Sequence, residues 1–400
     1  MMQAKDVITL LVTENFPPRT GGSGRWFWEL YRRLPRERFL VAAGQAPRQD
    51  EVDRNGQLRV VRLPLTLREW GVTRPAGLCG YTRAVWKLHY LIRHEQVKMV
   101  HCGRTLPEGV MALALKLLTG IPYACYVHGE EMHTARSSRE FTWLVGRVLD
   151  QAAFAIANSR NTKVILQRDW RLPPERIRLL HPGVDTTRFV PKGPDPAVRA
   201  RFGWSHRPVV LTVGRLQRRK GQDHLIRALR AIRQQVPDVL YAIAGEGEER
   251  TPLEELVRRE GVSGAVQFLG EPDDATLIEC YQQCDLFVLP NRQVGEDIEG
   301  FGMVLLEAQA CGKAVVAGAS GGTAETMWVG QTGEIVNCSN PEPLAEVVSR
   351  LLVDSDRRMR MGEAGRRWVE ERFDWVSLTR QAERLFTQAP IVGREIQCVR

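Results

Sequence analysis

No stretch of this chain is apolar over the roughly 20 residues that a membrane-spanning helix needs. The longest candidate, Val110 to Leu118, is broken by Lys116. No signal peptide is visible: Met1 to Asp6 is polar, and Val7 to Val12 has only the length of a buried strand. Cysteine lacks a pattern. Cys79, Cys102, Cys125, Cys280, Cys284, Cys311, Cys338 and Cys398 show no second pair at zinc spacing, so reduced, mostly buried thiols are expected. A Gly-x-Gly-x-x-Gly fingerprint with a downstream acid is missing, as is a Lys-Ser/Thr phosphate loop, which argues against a nicotinamide enzyme. Glu130 and Glu131 follow His128, but no second histidine completes a metal set nearby. Neither a metal nor a cofactor is expected, and no solenoid repeat is present.

What the chain does have is length, regular alternation and lopsided charge. Four hundred residues exceed what one core usually carries, so two domains are expected. Apolar strand-length runs at Val7–Val12, Lys98–His101, Tyr123–His128 and Phe154–Asn158 alternate with amphipathic stretches. A Pro- and Gly-rich segment around residues 181–196 then precedes a second series: Val209–Val213, Val239–Ala244, Val266–Leu269, Leu286–Leu289 and Ala314–Val316. This pattern predicts two α/β domains with parallel sheets, residues 1–187 and 188–375. Residues 1–200 hold 31 Lys and Arg against 18 Asp and Glu, a net of +13, whereas residues 201–400 hold 25 against 29. The basic half is read as meeting a phospholipid surface or a phosphorylated acceptor, not nucleic acid.

Open parallel sheets bind ligands beyond the carboxyl ends of their strands, so chemistry is sought in the loops that follow them. After Leu289, Glu299-Gly300-Phe301-Gly302 leads into a helical pattern, Met303-Val304-Leu305-Leu306-Glu307. The glycines admit close backbone approach, and the first helical N–H groups near Gly302, Met303 and Val304 suit a phosphate. Glu307 leans back toward that end, so Glu299 and Glu307 can bracket one extended ligand. After Val213, Gly214-Arg215 and Lys220-Gly221 set two cations suited to a diphosphate, with Arg218 and Arg219 between them read as solvated. Gly22 and Gly24, in the glycine-rich stretch after the first strand, can let backbone amides reach a phosphate. His128 ends another strand and can hydrogen-bond a hydroxyl. Asp273 reads as a helix cap, and Trp26, Phe27 and Trp28 as core packing.

In this order the segments resemble the retaining glycosyltransferases of family 4, which have the GT-B architecture of two Rossmann-like domains facing across a cleft. The resemblance rests on Pro17-Pro18 with Gly21-Gly22, Asn158-Ser159-Arg160, His181-Pro182-Gly183-Val184-Asp185, Gly214-Arg215 with Lys220-Gly221, Ala244-Gly245-Glu246-Gly247, Phe268-Leu269-Gly270, Glu299 with Glu307, and Phe373-Asp374-Trp375. It is greatest toward mannosyltransferases that use GDP-mannose on phosphatidylinositol mannosides. It implies that Arg215 and Lys220 neutralise a nucleotide-sugar diphosphate, Glu299 holds the sugar, Glu307 the ribose and Gly22 a phosphate, with His128 near the sugar. Gly214, Gly245, Phe268, Gly300, Phe301, Gly302, Met303 and Val304 would complete the donor site. Asn15 and Glu130 stand on the acceptor side, where Glu14-Asn15 and His128-Gly129-Glu130-Glu131 depart from the family pattern. A C-terminal helix, 376–392, would join the first domain. The implied partners are a nucleotide-sugar donor and a glycolipid or glycan acceptor, handled in the cytoplasm at the inner face of a membrane. A UDP-sugar transferase of polysaccharide assembly, a nucleotide-sugar 2-epimerase and a non-catalytic binding module remain open.

Overall fold

The computed structural model describes residues 7–19, 21–54, 57–136 and 138–387. The chain divides into two units, with breaks between His181 and Pro182 and again between Trp375 and Val376. Each is built on a wholly parallel sheet flanked by helices, a GT-B arrangement of elements. Residues 182–187, expected in the first domain, go with the second because Val184 N–H bonds to the Phe373 carbonyl at 2.9 Å.

The first sheet comprises β1 (Thr9–Thr13), β2 (Phe39–Gly44), β3 (Arg59–Leu63), β4 (Met99–Cys102), β5 (Tyr123–Val127), β6 (Phe154–Ala157) and β7 (Ile177–Leu179), ordered 3-2-1-4-5-6-7. The second comprises β8 (Val209–Val213), β9 (Leu240–Ala244), β10 (Val266–Gly270), β11 (Leu286–Leu289), β12 (Val315–Gly318) and β13 (Gly333–Val336), ordered 10-9-8-11-12-13. Central strands are buried on both faces, which is why they read as continuous apolar runs. β2, β3, β7 and β13 were not evident from the sequence. Three of these lie at sheet edges, and β3 is half-exposed along its whole length.

Strand order reverses between β1 and β4 in the first unit and between β8 and β11 in the second. There the crossovers leave in opposite directions and open a crevice at the carboxyl ends. The loops after these four strands are therefore the ones positioned to hold a ligand.

The last described helix, Trp375–Thr387, belongs to the first unit from Val376 onward. Arg178 donates to the Leu385 carbonyl and lies over the Phe154 ring at 3.5 Å, while Phe386 packs edge-on against buried His101 at 4.6 Å. Burial, with the Arg178 charge, depresses His101 to about 3, so this imidazole is a neutral core group. The seven described cysteines are free, six of them buried; Cys398 lies outside the described residues. Asp273 caps its helix by accepting the Thr276 N–H at 2.8 Å.

In the second unit Trp204 is fully buried, stacks on Phe202 at 4.8 Å and donates its indole N–H to Gln267 at 2.8 Å. Trp204→Ala removes a large core side chain and takes the donor from Gln267 Oε1, while Gln267 Nε2 keeps its bond to the Phe202 carbonyl. It is expected to destabilise the protein by about 3–5 kcal/mol, measurable by urea denaturation.

Candidate active site

At the switch point of the second unit, three loops converge on one carboxylate. Glu299 is buried, and its Oε2 accepts Lys220 Nζ at 2.6 Å and Arg219 Nη1 at 2.8 Å. Both cations take the same oxygen; no bond to Oε1 forms among the described residues. Burial pushes this carboxyl up, but Lys220 and Arg219, through charge and hydrogen bonds, outweigh it and hold it below the usual carboxylate value. The main chain is fixed as well: the Glu299 carbonyl accepts Gly322 N–H at 3.1 Å. Gly321, at φ 66°, comes so close that a Cβ there would lie 1.6 Å from the same oxygen.

The two cations are delivered by the loop after β8. It ends in a 3-10 turn, Arg218–Lys220, closed by Gly221 at φ 74°. The turn sends Arg218 outward and Arg219 and Lys220 inward, the latter two with side chains only 10% and 12% exposed. The expectation that Arg219 is solvated is thus corrected: spacing alone could not show that a tight turn aims it at Glu299. Arg219 is also 3.2 Å from Asp297. Arg215, by contrast, is exposed, and its guanidinium makes no bond among the described residues.

This loop is stitched to the one after β11. Arg219 C=O accepts Arg292 N–H at 2.8 Å, and the Arg292 guanidinium grips Asp223 at 2.7 and 3.0 Å. Buried Asn291 bridges onward, its Oδ1 accepting Gly318 N–H at 3.0 Å and its Nδ2 donating to Ser320 C=O at 3.1 Å. Asn291 and Arg292 were not singled out in the sequence; an Asn and an Arg directly after a buried strand are the only signal that they left.

The remaining predicted residues of this unit lie in the loops after β8, β9 and β11, in the helix Met303–Ala310 and, for Phe268, on the edge strand β10. Gly302, at φ 93°, starts the helix Met303–Ala310, which no side chain caps. Met303 and Val304 occupy its first turn, where N–H groups have no partner within the helix. Phe301 is buried in the core with Phe373 at 6.0 Å, and Gly300 lies between it and Glu299. Glu307 is nearly buried and accepts the Tyr281 hydroxyl at 2.7 Å. Gly214 and Gly245 have positive φ and pack together: Gly214 N–H bonds to Ala244 C=O, and a Cβ on Gly245 would lie 2.1 Å from Gly214 O. Phe268 is half-buried beneath Arg250, 4.5 Å from its ring centre.

In the first unit the loops after β1, β4 and β5 form a second polar cluster. Glu14 N–H bonds to buried Glu108 at 2.8 Å, and the Glu14 carboxylate pairs with Arg19 at 3.0 Å and Arg104 at 3.2 Å. Asn15 is turned onto the glycine-rich loop, donating to Ser23 Oγ at 3.0 Å. A Cβ on Gly24 would lie 3.0 Å from the Asn15 carbonyl oxygen. Gly22 begins the helix Gly22–Tyr31, again without a side-chain cap. His128 is buried against Trp26 and Phe27, which are core residues as expected. Its Nε2 must donate to the Gly103 carbonyl, 2.8 Å away, because a carbonyl only accepts. That bond fixes the tautomer and leaves Nδ1 as the acceptor nitrogen. Its main-chain N–H is held by Glu131 at 2.8 Å. Glu130 is exposed at the start of the helix Glu130–Arg136. Among the described residues, no three His, Cys, Asp or Glu side chains are placed to hold a metal ion.

Two switch points with uncapped helix starts, one of them beside a cation-bound carboxylate, suit an anionic ligand on each of two parallel-sheet units. The family models agree. "Glycosyl transferases group 1" matches residues 196–368 and "Glycosyltransferase Family 4" matches residues 20–188. The chain is 33% identical over 383 residues to a GDP-mannose-dependent alpha-(1-6)-phosphatidylinositol monomannoside mannosyltransferase of Mycobacterium tuberculosis, covering 92% of this chain and 95% of that one. It is 32% identical over 376 residues to the GDP-mannose-dependent monoacylated alpha-(1-6)-phosphatidylinositol monomannoside mannosyltransferase of Corynebacterium glutamicum, covering 92% and 94%. In fold it matches Anabaena Alr3699/HepE in complex with UDP and glucose, with a TM-score of 0.81, 20% identity, and 96% and 100% of the chains covered. The chain belongs to the family 4 glycosyltransferases of GT-B fold.

Two tests follow from the geometry. Gly221→Ala places a Cβ 1.8 Å from Pro290 O and imposes φ 74° on a residue with a side chain. It is expected to lower turnover at least roughly tenfold with little change in circular dichroism. The second concerns pH. A carboxyl with a lowered folded pKa stabilises the protein fully above the ordinary value of 4.5 and loses that contribution as pH falls from there through the folded value. The gap in melting temperature between wild type and Glu299→Gln should thus stay constant from about pH 8 to 5 and close below about pH 4.5.

Proposed function

We propose that this protein transfers a mannosyl group from GDP-mannose to a mannosylated phosphatidylinositol, with retention of anomeric configuration. The observation that carries the reaction class is the Glu299 carboxylate pinned by Lys220 and Arg219 at the switch point of the second unit. The choice of donor and acceptor is supported by the relatives, which align along almost their whole length.

In this reading the bond between the sugar C1 and the diphosphate oxygen breaks while the acceptor hydroxyl adds from the same face. The departing phosphate oxygen takes the acceptor's proton, and GDP leaves. Arg215, Lys220 and the main chain from Gly302 to Val304 stabilise the charge that grows on that phosphate. Three nearby guanidinium and ammonium groups supply the positive charge, so no metal is called for. Glu299 holds the sugar hydroxyls through Oε1, and Glu307 the ribose. The base lies along Phe268 and Gly245.

For the first unit the proposed roles are a phosphate-directed amide at Gly22 and a sugar-facing imidazole at His128. Asn15 and Glu130 serve the acceptor. The lipid acceptor implies work at the cytoplasmic side of a membrane surface. No helix among the described residues is long and apolar enough to cross a membrane.

Isothermal titration with GDP, UDP and ADP tests the donor. GDP is expected to bind at least roughly tenfold more tightly than either competitor, a gap of about 1.4 kcal/mol. A preference for UDP would overturn the assignment.

A further inference from the structure

The Asn158-Ser159-Arg160 segment takes no part in the contacts described above, yet its first residue is bound to His128. β5 and β6 run side by side, with Val127 opposite Ala157 at their carboxyl ends. The residues that leave the two strands are therefore neighbours, His128 on one and Asn158 on the other. Asn158 N–H bonds to the Val127 carbonyl at 3.2 Å, and its side-chain Nδ2 donates to the His128 carbonyl at 2.9 Å. Asn158 is buried, as are Ser159 and Thr162 behind it.

Behind the amide runs a chain of hydroxyls. A carbonyl only accepts, so the amide nitrogen must face His128 and Oδ1 must face away from it. There Thr162 Oγ1 donates to Oδ1 at 2.7 Å, and Ser159 Oγ lies 3.2 Å from Oδ1 and 2.9 Å from Thr162 Oγ1. Ser159 Oγ also accepts the Thr162 N–H at 3.0 Å, which caps the helix Arg160–Arg168. Both hydroxyl protons thus run toward the amide. Each donation polarises the next, so Asn158 offers His128 a fixed and strengthened donor.

What this bond restrains is a peptide plane. Gly129 follows His128 at φ 98°, a conformation that glycine enters and leaves easily. The His128 N–H is tied to Glu131 and its ring Nε2 to the Gly103 carbonyl, both at 2.8 Å. Without Asn158 the carbonyl between them could turn and carry the ring with it. Three bonds from three loops therefore fix one residue, and Nδ1 is the nitrogen left without a partner among the described residues.

We propose that Asn158 is a positioning residue for sugar transfer: through the His128 peptide it sets where Nδ1 meets the transferred sugar. A misplacement of about 1 Å at such a contact is enough to cost roughly a hundredfold in rate. The inference rests on the reading that the His128 imidazole faces the sugar. It asks nothing of the donor's base or of the acceptor, so it stands or falls separately from those choices. A network that merely satisfied a buried carbonyl would affect stability and leave the rate alone.

Steady-state kinetics of the full chain, taken well below the melting temperature of each variant, separate the two. Asn158→Asp keeps the size and the acceptor for both hydroxyls but replaces the amide donor with a second acceptor. It is expected to lower kcat at least roughly tenfold while KM for GDP-mannose stays within roughly twofold. Thr162→Val removes the hydroxyl that aligns the amide and should lower kcat roughly threefold, whereas Thr162→Ser keeps it and should match wild type. The Thr162 pair decides the question if Asn158→Asp fails to fold. A lowered melting temperature with wild-type kcat in Asn158→Asp overturns the positioning role, and so do equal kcat values in the Thr162 pair. A wild type that transfers nothing from GDP-mannose overturns the donor reading instead, and the same variants are then compared on the nucleotide sugar that it does consume.

Discussion

A buried carboxylate held ionised by two cations is the constraint on which the second unit's site depends. Desolvation alone would push Glu299 toward its neutral form, in which it would be a weaker acceptor. Lys220 and Arg219 reverse that, and they do so on one oxygen. The other oxygen keeps full acceptor character for hydroxyl groups. Arg219 is shared with Asp297 at 3.2 Å, whereas Asp223 on the neighbouring helix is claimed by Arg292. A mixed cluster of this kind costs desolvation, and its worth lies in geometry more than in stability.

Rigid main chain makes the cluster possible. The loops after β8, β11 and β12 cross at distances that exclude side chains at Gly221, Gly318 and Gly321, where a Cβ would lie within 2 Å of a carbonyl oxygen. Asn291 then ties β11 to β12 with both ends of its amide. The fold provides the crevice, and these close approaches set the positions of the groups within it. The first unit repeats the logic with other parts. Glu14, Arg19, Arg104 and Glu108 tie the loops after β1 and β4, and Asn15 braces the first turn of the helix Gly22–Tyr31 through Ser23.

Much of this was legible in the sequence because buried parallel strands leave continuous apolar runs, and nine of the thirteen strands were found that way. The Glu299 and Glu307 pair was visible because glycines and a helix start stand between them. Arg219 was not, because its direction depends on a three-residue turn whose sense no periodicity reports. Asn291 and Arg292 escaped for a similar reason: their roles are set by partners 27 and 69 positions away along the chain. Half-exposed edge strands such as β3 mix charged and apolar residues and give no run to find. His128 was legible as a strand-end histidine, but the bond that fixes its tautomer comes from Gly103, directly after the neighbouring strand β4 and 25 positions away along the chain.

The claim that Glu299 acts on the sugar, while its cations act on the diphosphate, can be separated by one comparison. The affinities of GDP and GDP-mannose, with turnover, should be measured for wild type and Glu299→Gln. Removing the anion frees Lys220 and Arg219, so GDP should bind as tightly as before or more tightly. GDP-mannose turnover should fall by roughly a hundredfold or more, the loss of a charge-assisted contact in the transition state. Equal losses for GDP and GDP-mannose binding, or unchanged turnover, would contradict it.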